Sequence, residues 1–575
     1  MKSQSLKPRL LSLAIAGAVL VACQVGQDES SPAVTTTPTA PVMVGTDTSA
    51  ARQRNPAREA EILIAQEMDM ANASMDGNAT ITMQAMPAQA RMGMPFEPYF
   101  YPEQGAENYA DFDDNGIKRV IEQAVSTFSI DVDTGAYSNV RRFLNQGALP
   151  PADAVRAEEM INYFAYDYPV TDVSAPFSVY TEVSSSPWNT DRHLLHIGIK
   201  ANEPDPRQEH HSNLVFLVDV SGSMDSPDKL ELLKTSLKML TQQLTAEDSV
   251  ALVVYAGASG VVLEPTPGNE TRQISAALDR LQAGGGTNGE AGIELAYALA
   301  EQAYIENGIN RVILATDGDF NIGMSSVEAM QQLIEEKRAS GISLTTLGFG
   351  TGNYNDHMME QLADRGNGNY AYIDNLNEAR KVLVDELQST LQTVAKDVKI
   401  QIEFNPATVA EYRLIGYENR GLAREDFNND QVDAGEIGAG HTVTAIYEIA
   451  LVGSSGVSVD PLRYSQASQQ TAGNTDELAF LKLRYKAPDA EESVLIERPL
   501  MLADIQEDFS STSDNFRFSA AVAGLAQLLR ANAQTGELDY DTVLTLAQSA
   551  RGTDEFGYRS EFIQLVRNAQ ALSLN

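Results

Sequence analysis

The stretch from residue 214 to residue 223, Leu-Val-Phe-Leu-Val-Asp-Val-Ser-Gly-Ser, decides the fold of this chain. Its first five residues form a continuous apolar run, which is typical of a strand buried on both faces of a parallel sheet. The run leads into Asp219, Ser221 and Ser223, so one carboxylate and two hydroxyls follow the end of the strand. Ligands of open α/β sheets bind just beyond the carboxyl ends of such strands. The stretch therefore predicts a central strand with a binding loop at its end.

Apolar strands and amphipathic helices alternate along residues 213–394, which is the pattern of a parallel sheet with helical crossovers. We predict strands at Leu214–Val218, Val250–Tyr255, Val312–Ala315 and Ser343–Phe349. We predict helices at Lys229–Leu244, Thr271–Leu281, Gly289–Glu306, Ser326–Ala339 and Asn377–Val394. Right-handed crossovers between the strands place helices on both faces of the sheet. The predicted fold class is therefore α/β, with a central doubly wound parallel sheet.

Two further oxygen donors follow at corresponding places in the pattern. Thr287 ends a glycine loop, residues 284–286, and Asp317 comes shortly after the strand that ends at Ala315. Because the carboxyl ends of parallel strands lie at one edge of a sheet, we expect these donors to converge with those after residue 218. Serine, threonine and aspartate also cap helices and form turns. That alternative does not explain why all five donors follow successive strands.

This combination of residues resembles the von Willebrand factor A domain. The resemblance covers residues 213–394, and five residues match the metal-ion-dependent adhesion site of that domain, namely Asp219, Ser221, Ser223, Thr287 and Asp317. It implies that the two serines and the threonine bind the ion directly. It also implies that the last coordination position accepts a Glu or Asp carboxylate from a partner protein.

The donor set favours magnesium as the ion. Two carboxylates and three hydroxyls form an all-oxygen site of low charge, and Mg²⁺ keeps water in part of its octahedral shell. Asp219 or Asp317 is then expected to bind through a water molecule. Calcium and manganese fit the same donors, so the sequence leaves the choice of ion open.

The segments on either side of this domain have strand and helix patterns of their own. We expect an N-terminal mixed module at residues 96–212, the A domain at 213–395 and a C-terminal α+β domain at 396–575. The flanks resemble the accessory modules of a bacterial lipoprotein family that contains the A domain. The N-terminal likeness rests on Val125–Thr134 and Glu158–Phe164, and the C-terminal one on Tyr412–Arg420.

Cys23 is the single cysteine in 575 residues, and it follows Leu20-Val21-Ala22 at the end of an apolar run. A signal peptide typically has basic residues first, then an apolar stretch and then small residues at the cleavage site. This segment has that order, with the apolar stretch over residues 10–21. The motif resembles the bacterial lipobox, which implies removal of residues 1–22 and acylation of Cys23. By the rule of that family, Gln24 indicates the outer membrane of a Gram-negative cell. There are two alternatives. One is an ordinary signal sequence with a chance cysteine, and the other is an uncleaved membrane anchor.

Residues 23–95 are predicted to be a flexible tether, because they are rich in Ala, Thr, Pro, Ser, Gln and Met and carry almost no aromatic side chains. A lipid anchor with more than one acyl chain would hold this tether stably to a membrane. We therefore expect a protein of the cell envelope.

The net charge is −38, and it becomes −41 when the three basic residues of the signal peptide are removed. Such a charge repels phosphate backbones, which argues against nucleic acid as a partner. It suits the binding of cations.

Asp131 and Asp133 share one face of a predicted strand at residues 126–133, because their offset is even. They are placed to form a carboxylate pair. Two carboxylates are also common on a strand face that water covers, and the sequence favours that second interpretation.

These features predict a lipid-anchored envelope protein that captures an acidic side chain of another protein through a divalent ion. The alternative is an envelope assembly or quality-control factor that holds substrates transiently at the same ion site. An enzyme is the weakest hypothesis, because no general base stands beside the predicted ion. The helix Asn377–Val394 runs into the C-terminal domain, so we expect it to couple ion binding to that domain.

Overall fold

A parallel sheet forms the centre of the part of the chain that the computed structural model describes, which comprises residues 107–171, 175–203, 211–286, 289–318, 327–352, 354–460, 462 and 476–574. The predicted signal peptide (1–22), the lipidation site Cys23, the tether (23–95) and the predicted ligand Thr287 lie outside these residues. Among the described helices, we find none with the length and apolar character needed to cross a membrane.

The strands are numbered in chain order. They are β1 (Lys118–Arg119), β2 (Val125–Ser129), β3 (Phe177–Ser186), β4 (Asn189–Ala201), β5 (Ser212–Asp219), β6 (Ser249–Tyr255), β7 (Ser259–Pro267), β8 (Ile309–Thr316), β9 (Ser343–Phe349), β10 (Tyr370–Ile373), β11 (Thr393–Phe404), β12 (Val409–Ile415), β13 (Ile437–Gly438), β14 (Thr442–Leu451), β15 (Glu477–Lys486), β16 (Val494–Met501) and β17 (Ile505–Gln506).

The α-helices are numbered in the same way. They are α1 (Gly135–Asn145), α2 (Ala157–Asn162), α3 (Leu232–Thr241), α4 (Thr271–Asp279), α5 (Glu290–Gln302), α6 (Val327–Arg338), α7 (Asp356–Arg365), α8 (Leu376–Arg380), α9 (Leu387–Leu391), α10 (Asp514–Leu529), α11 (Tyr540–Ser549) and α12 (Tyr558–Ser573). Short 3₁₀ turns include Gly222–Met224 and Glu418–Arg420, and π-helical turns occur at Pro227–Glu231 and Lys381–Asp385.

The central sheet has the strand order β10-β9-β8-β5-β6-β7. All neighbours pair in parallel except β7, which returns antiparallel beside β6. The four predicted strands are present, and β9 has the predicted bounds. Edge strands β7 and β10 were not predicted. β10 has only four residues, and β7 is half-exposed and lacks a continuous apolar run, so neither has a strong sequence signal.

Helices cover both faces of this sheet, because every side chain of β5 is buried and each face needs an apolar cover. On one face the core includes Leu233 of α3 and Leu278 of α4. On the other face it includes Tyr297 of α5, Ile334 of α6 and Leu362 of α7. The predicted α/β doubly wound architecture of the central domain is confirmed.

The segments before and after the central domain share two further sheets. The first sheet has the order β1-β12-β14-β4-β3-β17. In the second sheet, β11 pairs with β2, β13 and β15, and β15 pairs with β16. In the first, Val443 of β14 lies opposite Ile199 of β4. The sequence predicts separate modules at residues 96–212 and 396–575. Pairing between strands so far apart along the chain leaves no local pattern, so the sequence could not reveal this interleaving.

Helix Asn377–Val394 was predicted to be continuous, and the structure corrects this. The segment consists of α8, a π-helical turn and α9, and β11 begins at Thr393. The β-branched and apolar residues Thr393, Val394 and Ala395 enter the strand because β11 pairs with β13 from this point on. The connection between the central domain and the shared sheets is therefore immediate, but it is not a single rigid helix.

Candidate metal centre

Asp219 is the last residue of β5, and its buried carboxylate is held by three donors. The backbone N–H of Ser221 donates to Oδ1 over 2.8 Å. The hydroxyls of Thr316 and Tyr255 donate to Oδ2 over 2.9 and 3.3 Å. Since Thr316 ends β8 and Tyr255 ends β6, the two strands beside β5 fix this side chain from both sides.

The hydroxyls of Ser221 and Ser223 lie side by side in the loop after β5. Their Oγ atoms share a hydrogen bond over 2.9 Å, Ser221 is buried and Ser223 is partly exposed. Two neighbouring ligands of an octahedral ion with metal–oxygen bonds of about 2.0–2.1 Å are also about 2.9 Å apart. The hydrogen bond therefore holds the two oxygens at a spacing that two adjacent ligands of a magnesium ion can have.

The glycine loop that leads to Thr287 lies against this loop. The Gly222 N–H donates to the Gly285 carbonyl over 3.1 Å, and the Gly284 N–H donates to the Val220 carbonyl over 2.8 Å. Gly285 has φ of +89°, a conformation that glycine adopts without strain. The backbone before Thr287 is thus bonded to the serine loop, while Thr287 itself is outside the described residues.

Asp317 follows β8 at the same edge of the sheet and is buried. Its Oδ2 accepts a hydrogen bond from Nζ of Lys229 over 2.9 Å, which makes a buried ion pair. Lys229 lies in the π-helical turn that precedes α3. The structure therefore adds a positive charge to the predicted site. From the sequence, Lys229 was predicted only as the first residue of a helix.

Burial raises the pKa of Asp219 to about 6, and the charge of Asp317 acts in the same direction. Hydrogen bonds from Ser221 and Thr316 oppose this shift because they stabilise the ionised carboxylate. Because burial disfavours the ionised form of Asp219, a divalent cation bound beside it would stabilise that form.

The donors present fit a hard divalent cation. The site offers carboxylate and hydroxyl oxygens, a serine pair at octahedral spacing and a half-exposed side at Ser223, through which water or a ligand can approach. The structure brings Asp219, Ser221 and Ser223 together and places Asp317 close enough to act on the pKa of Asp219. The assignment of these residues as metal ligands stays a prediction.

A second group of carboxylates lies where the flanking segments meet the central domain. Oxygens of Asp131, Glu159 and Glu360 are all within 4.8 Å of one another, and all three residues are buried. Arg420 donates to Asp131 over 3.2 Å and to Glu360 over 3.0 Å. Arg156 donates to Glu159 and, over 2.5 Å, to Asp356. Guanidinium groups already occupy these oxygens, so we describe the cluster as an ion-pair network rather than a metal site.

The expectation that water covers Asp131 and Asp133 is wrong. Both residues are buried, and Arg420 bonds to each of them. Strand β2 ends at Ser129, before the two aspartates. Burial, with the charge of Asp131 next to it, raises the pKa of Asp133 well above its usual range. A strand is present, but it ends four residues before the predicted end at Asp133. A local pattern also does not reveal an arginine that lies 287 residues away.

Comparison with known proteins identifies the parts of the chain. The von Willebrand factor type A domain matches residues 213–388, a second von Willebrand factor profile matches 103–196, and the C-terminal region named for YfbK matches 389–572. A domains of this type generally mediate contacts between proteins and commonly bind a divalent metal ion.

Individual relatives and one solved structure are similar to this chain over different lengths. The uncharacterized protein YfbK of Escherichia coli (strain K12) is 47% identical over 477 residues, which is 82% of each chain. The uncharacterized protein sll0103 of Synechocystis is 30% identical over 192 residues, covering 33% of this chain and 44% of its own. A solved von Willebrand factor type A structure from Catenulispora acidiphila is 16% identical, covers 68% of this chain and 91% of its own, and aligns with a TM-score of 0.38.

The identity to YfbK extends across the central domain and both flanking segments. The chain therefore belongs to the bacterial family of von Willebrand factor A domain proteins that have the YfbK-type C-terminal domain.

Proposed function

We propose that this protein captures an acidic side chain of another envelope protein through a divalent cation, most favourably Mg²⁺, bound at the carboxyl edge of its central sheet. The observation that carries the proposal is the serine pair, whose Oγ atoms are 2.9 Å apart beside the fixed carboxylate of Asp219. Asp219, Ser221, Ser223 and Asp317, with Thr287 from the adjoining loop, would hold the ion. The ion would offer a coordination position to the carboxylate of a partner.

The proposal makes the protein a binding protein and not an enzyme. The groups that touch Asp219 include the Ser221 amide and the hydroxyls of Thr316 and Tyr255, and Asp317 pairs with the ammonium of Lys229. These neighbours orient the carboxylates as ligands. Binding is also the general role of the A domain.

We further propose that Cys23 carries the lipid anchor and that residues 23–95 connect it to the folded part of the chain. This places the binding site in the cell envelope, at the outer membrane of a Gram-negative cell. The support is the lipobox-like sequence that ends at Cys23 and the composition of the residues after it. Incorporation of labelled palmitate that is lost in Cys23→Ser would support the anchor, and equal labelling of both proteins would exclude it.

Capture of the partner tests the binding role. Membranes solubilised from cells that express the full chain are applied to immobilised wild type, Asp219→Asn and Asp225→Asn, each with Mg²⁺ or with a chelator. Asp225 is an exposed carboxylate six residues after Asp219 and serves as the matched control. We expect one protein to bind the wild type and Asp225→Asn only when Mg²⁺ is present. Partner binding that survives both chelation and Asp219→Asn would overturn the proposal.

A further inference from the structure

Lys229 is the charged side chain that distinguishes this site from a simple set of oxygen ligands. Its ammonium lies 2.9 Å from Oδ2 of Asp317, and both residues are buried. An ion pair removed from water in this way keeps much of its Coulomb energy, whereas an exposed pair loses most of it to solvent. The charge of Lys229 therefore acts on whatever binds at Asp317.

The chain holds the Lys229 side chain in this position. Gly350, which follows β9, packs directly on its methylene groups, since a Cβ atom at Gly350 would lie 2.3 Å from Cε of the lysine. Gly350 has φ of +74°, so both its backbone and its lack of a side chain suit this contact. The hydroxyl of Tyr372 fixes the Gly350 carbonyl over 2.5 Å. Lys229 is thus a fixed part of the site.

The balance of charges shows what this position does. Asp219 and Asp317 supply two negative charges, and a divalent ion would neutralise them completely if they stood alone. With the ammonium of Lys229 in place, the loaded site keeps one positive charge. A single carboxylate from a partner restores neutrality, whereas a neutral ligand leaves a buried charge uncompensated, which is costly. The same ammonium opposes the entry of the ion, because two cations then share one carboxylate.

We propose that Lys229 is a built-in counter-ion that lowers the affinity of the site for the metal alone and makes the metal-loaded site selective for a carboxylate ligand. This inference rests on the proposed function, and it adds the residue that determines the charge of the ligand. It differs from a structural role for Lys229, because a structural pair would contribute to folding and leave metal and carboxylate affinities unchanged.

The test is a titration of the full chain with Mn²⁺ alone, in which electron paramagnetic resonance measures the free ion. Lys229→Met removes the charge and keeps a side chain that can pack on Gly350. We expect Lys229→Met to bind Mn²⁺ at least about tenfold more tightly than the wild type. Lys234→Met is the matched control, because Lys234 is also buried and pairs with Glu231 over 2.7 Å in the next turn. It should bind as the wild type does.

Acetate then probes the second half of the inference. Acetate has the same carboxylate group as an acidic side chain. When it binds to the Mn²⁺-loaded protein, it displaces water from the ion and lowers the relaxation rate of the water protons. We expect Lys229→Met to need at least about tenfold more acetate than the wild type for the same change. Should Lys229→Met not fold, Lys229→Gln gives the same comparison with an uncharged side chain that can still donate to Asp317.

The outcomes separate this inference from the function on which it rests. Wild type that binds no Mn²⁺ would overturn the proposed function and the role of Lys229 with it. Wild type that binds Mn²⁺, with equal metal and acetate affinities in Lys229→Met or Lys229→Gln, would overturn only the role of Lys229.

Discussion

Two groups of buried carboxylates in this protein have similar residues and different surroundings. At the carboxyl edge of the central sheet, Asp219 and Asp317 meet hydroxyls and one ammonium. At the junction with the flanking segments, Asp131, Glu159 and Glu360 meet the guanidinium groups of two arginines. The first group lies beside two serine hydroxyls and has a partly exposed side, while oxygens of the second accept hydrogen bonds from guanidinium groups.

The groups around a carboxylate determine its role more than the number of carboxylates in the cluster does. Arginine supplies several N–H donors in a fixed plane and satisfies carboxylates as a permanent partner. Serine hydroxyls supply further ligand oxygens and leave the negative charge available. We therefore propose ion binding at the sheet edge and cohesion between segments at the junction.

The largest expected effect concerns the junction. Arg156→Met leaves the carboxylates of Glu159 and Asp356 buried without their guanidinium, so we expect the free energy of unfolding to fall by about 3–5 kcal/mol. Urea denaturation measures the change. Arg365→Met is the control, because Arg365 pairs with Glu335 at the surface and such a pair contributes about 0–1 kcal/mol. Equal losses in the two variants would show that the junction does not hold the segments together.

The next effect concerns the sheet edge. Mg²⁺ at about one hundred times its dissociation constant should stabilise the wild type by about 2.7 kcal/mol. We expect Asp219→Asn to lose this gain and Glu360→Gln to keep it, as measured by the shift of the melting temperature between Mg²⁺ and chelator. A gain that disappears in Glu360→Gln and survives in Asp219→Asn would reverse our assignment of the two groups.

A smaller effect depends on pH. Burial raises the pKa of Glu159 to about 8 from 4.5, although Arg156 opposes the shift. The folded state then holds a proton that the unfolded state releases, so the free energy of unfolding falls as pH rises from about 5 to 8. We expect this decrease to be smaller in Glu159→Gln than in the wild type, because the variant has no carboxyl group to titrate at this position. Urea denaturation at several pH values measures it, and identical pH profiles would contradict the raised pKa.

The smallest effect separates ligand from structural roles at the sheet edge. Ser223 is partly exposed and shares one hydrogen bond with Ser221, so Ser223→Ala should change the metal-free stability by about 1 kcal/mol or less. It should still reduce the stabilisation by Mg²⁺, because one ligand of the ion is missing. Melting temperatures with Mg²⁺ and with chelator give both numbers. A variant that responds to Mg²⁺ as the wild type does would remove Ser223 from the proposed ligands.

Local sequence patterns predicted part of the fold and part of the candidate site. Strand β9 and the first residue of α4 lie where the pattern predicted them, because the alternation of apolar strands and amphipathic helices is a local signal. The spacing of Asp219, Ser221 and Ser223 is also local, and these three residues lie together in the structure.

Contacts between remote residues could not be predicted in this way. Lys229 and Asp317 are 88 residues apart, and nothing in a helical segment distinguishes this lysine from one at the surface. Likewise, the pairing of β4 with β14 joins segments from the two sides of the central domain. That Asp219, Ser221, Ser223, Thr287 and Asp317 hold an ion stays a prediction from the sequence. The sequence could not predict the pairing of Lys229 with Asp317, or the network that joins the flanks to the central domain.

Anomalous diffraction from crystals of the protein grown with Mn²⁺ would locate the bound ion. We expect an ion within bonding distance of the Oγ atoms of Ser221 and Ser223, and none among Asp131, Glu159 and Glu360. An ion at the junction instead, or no ion at the serine pair, would show that the sheet edge is not the ion site.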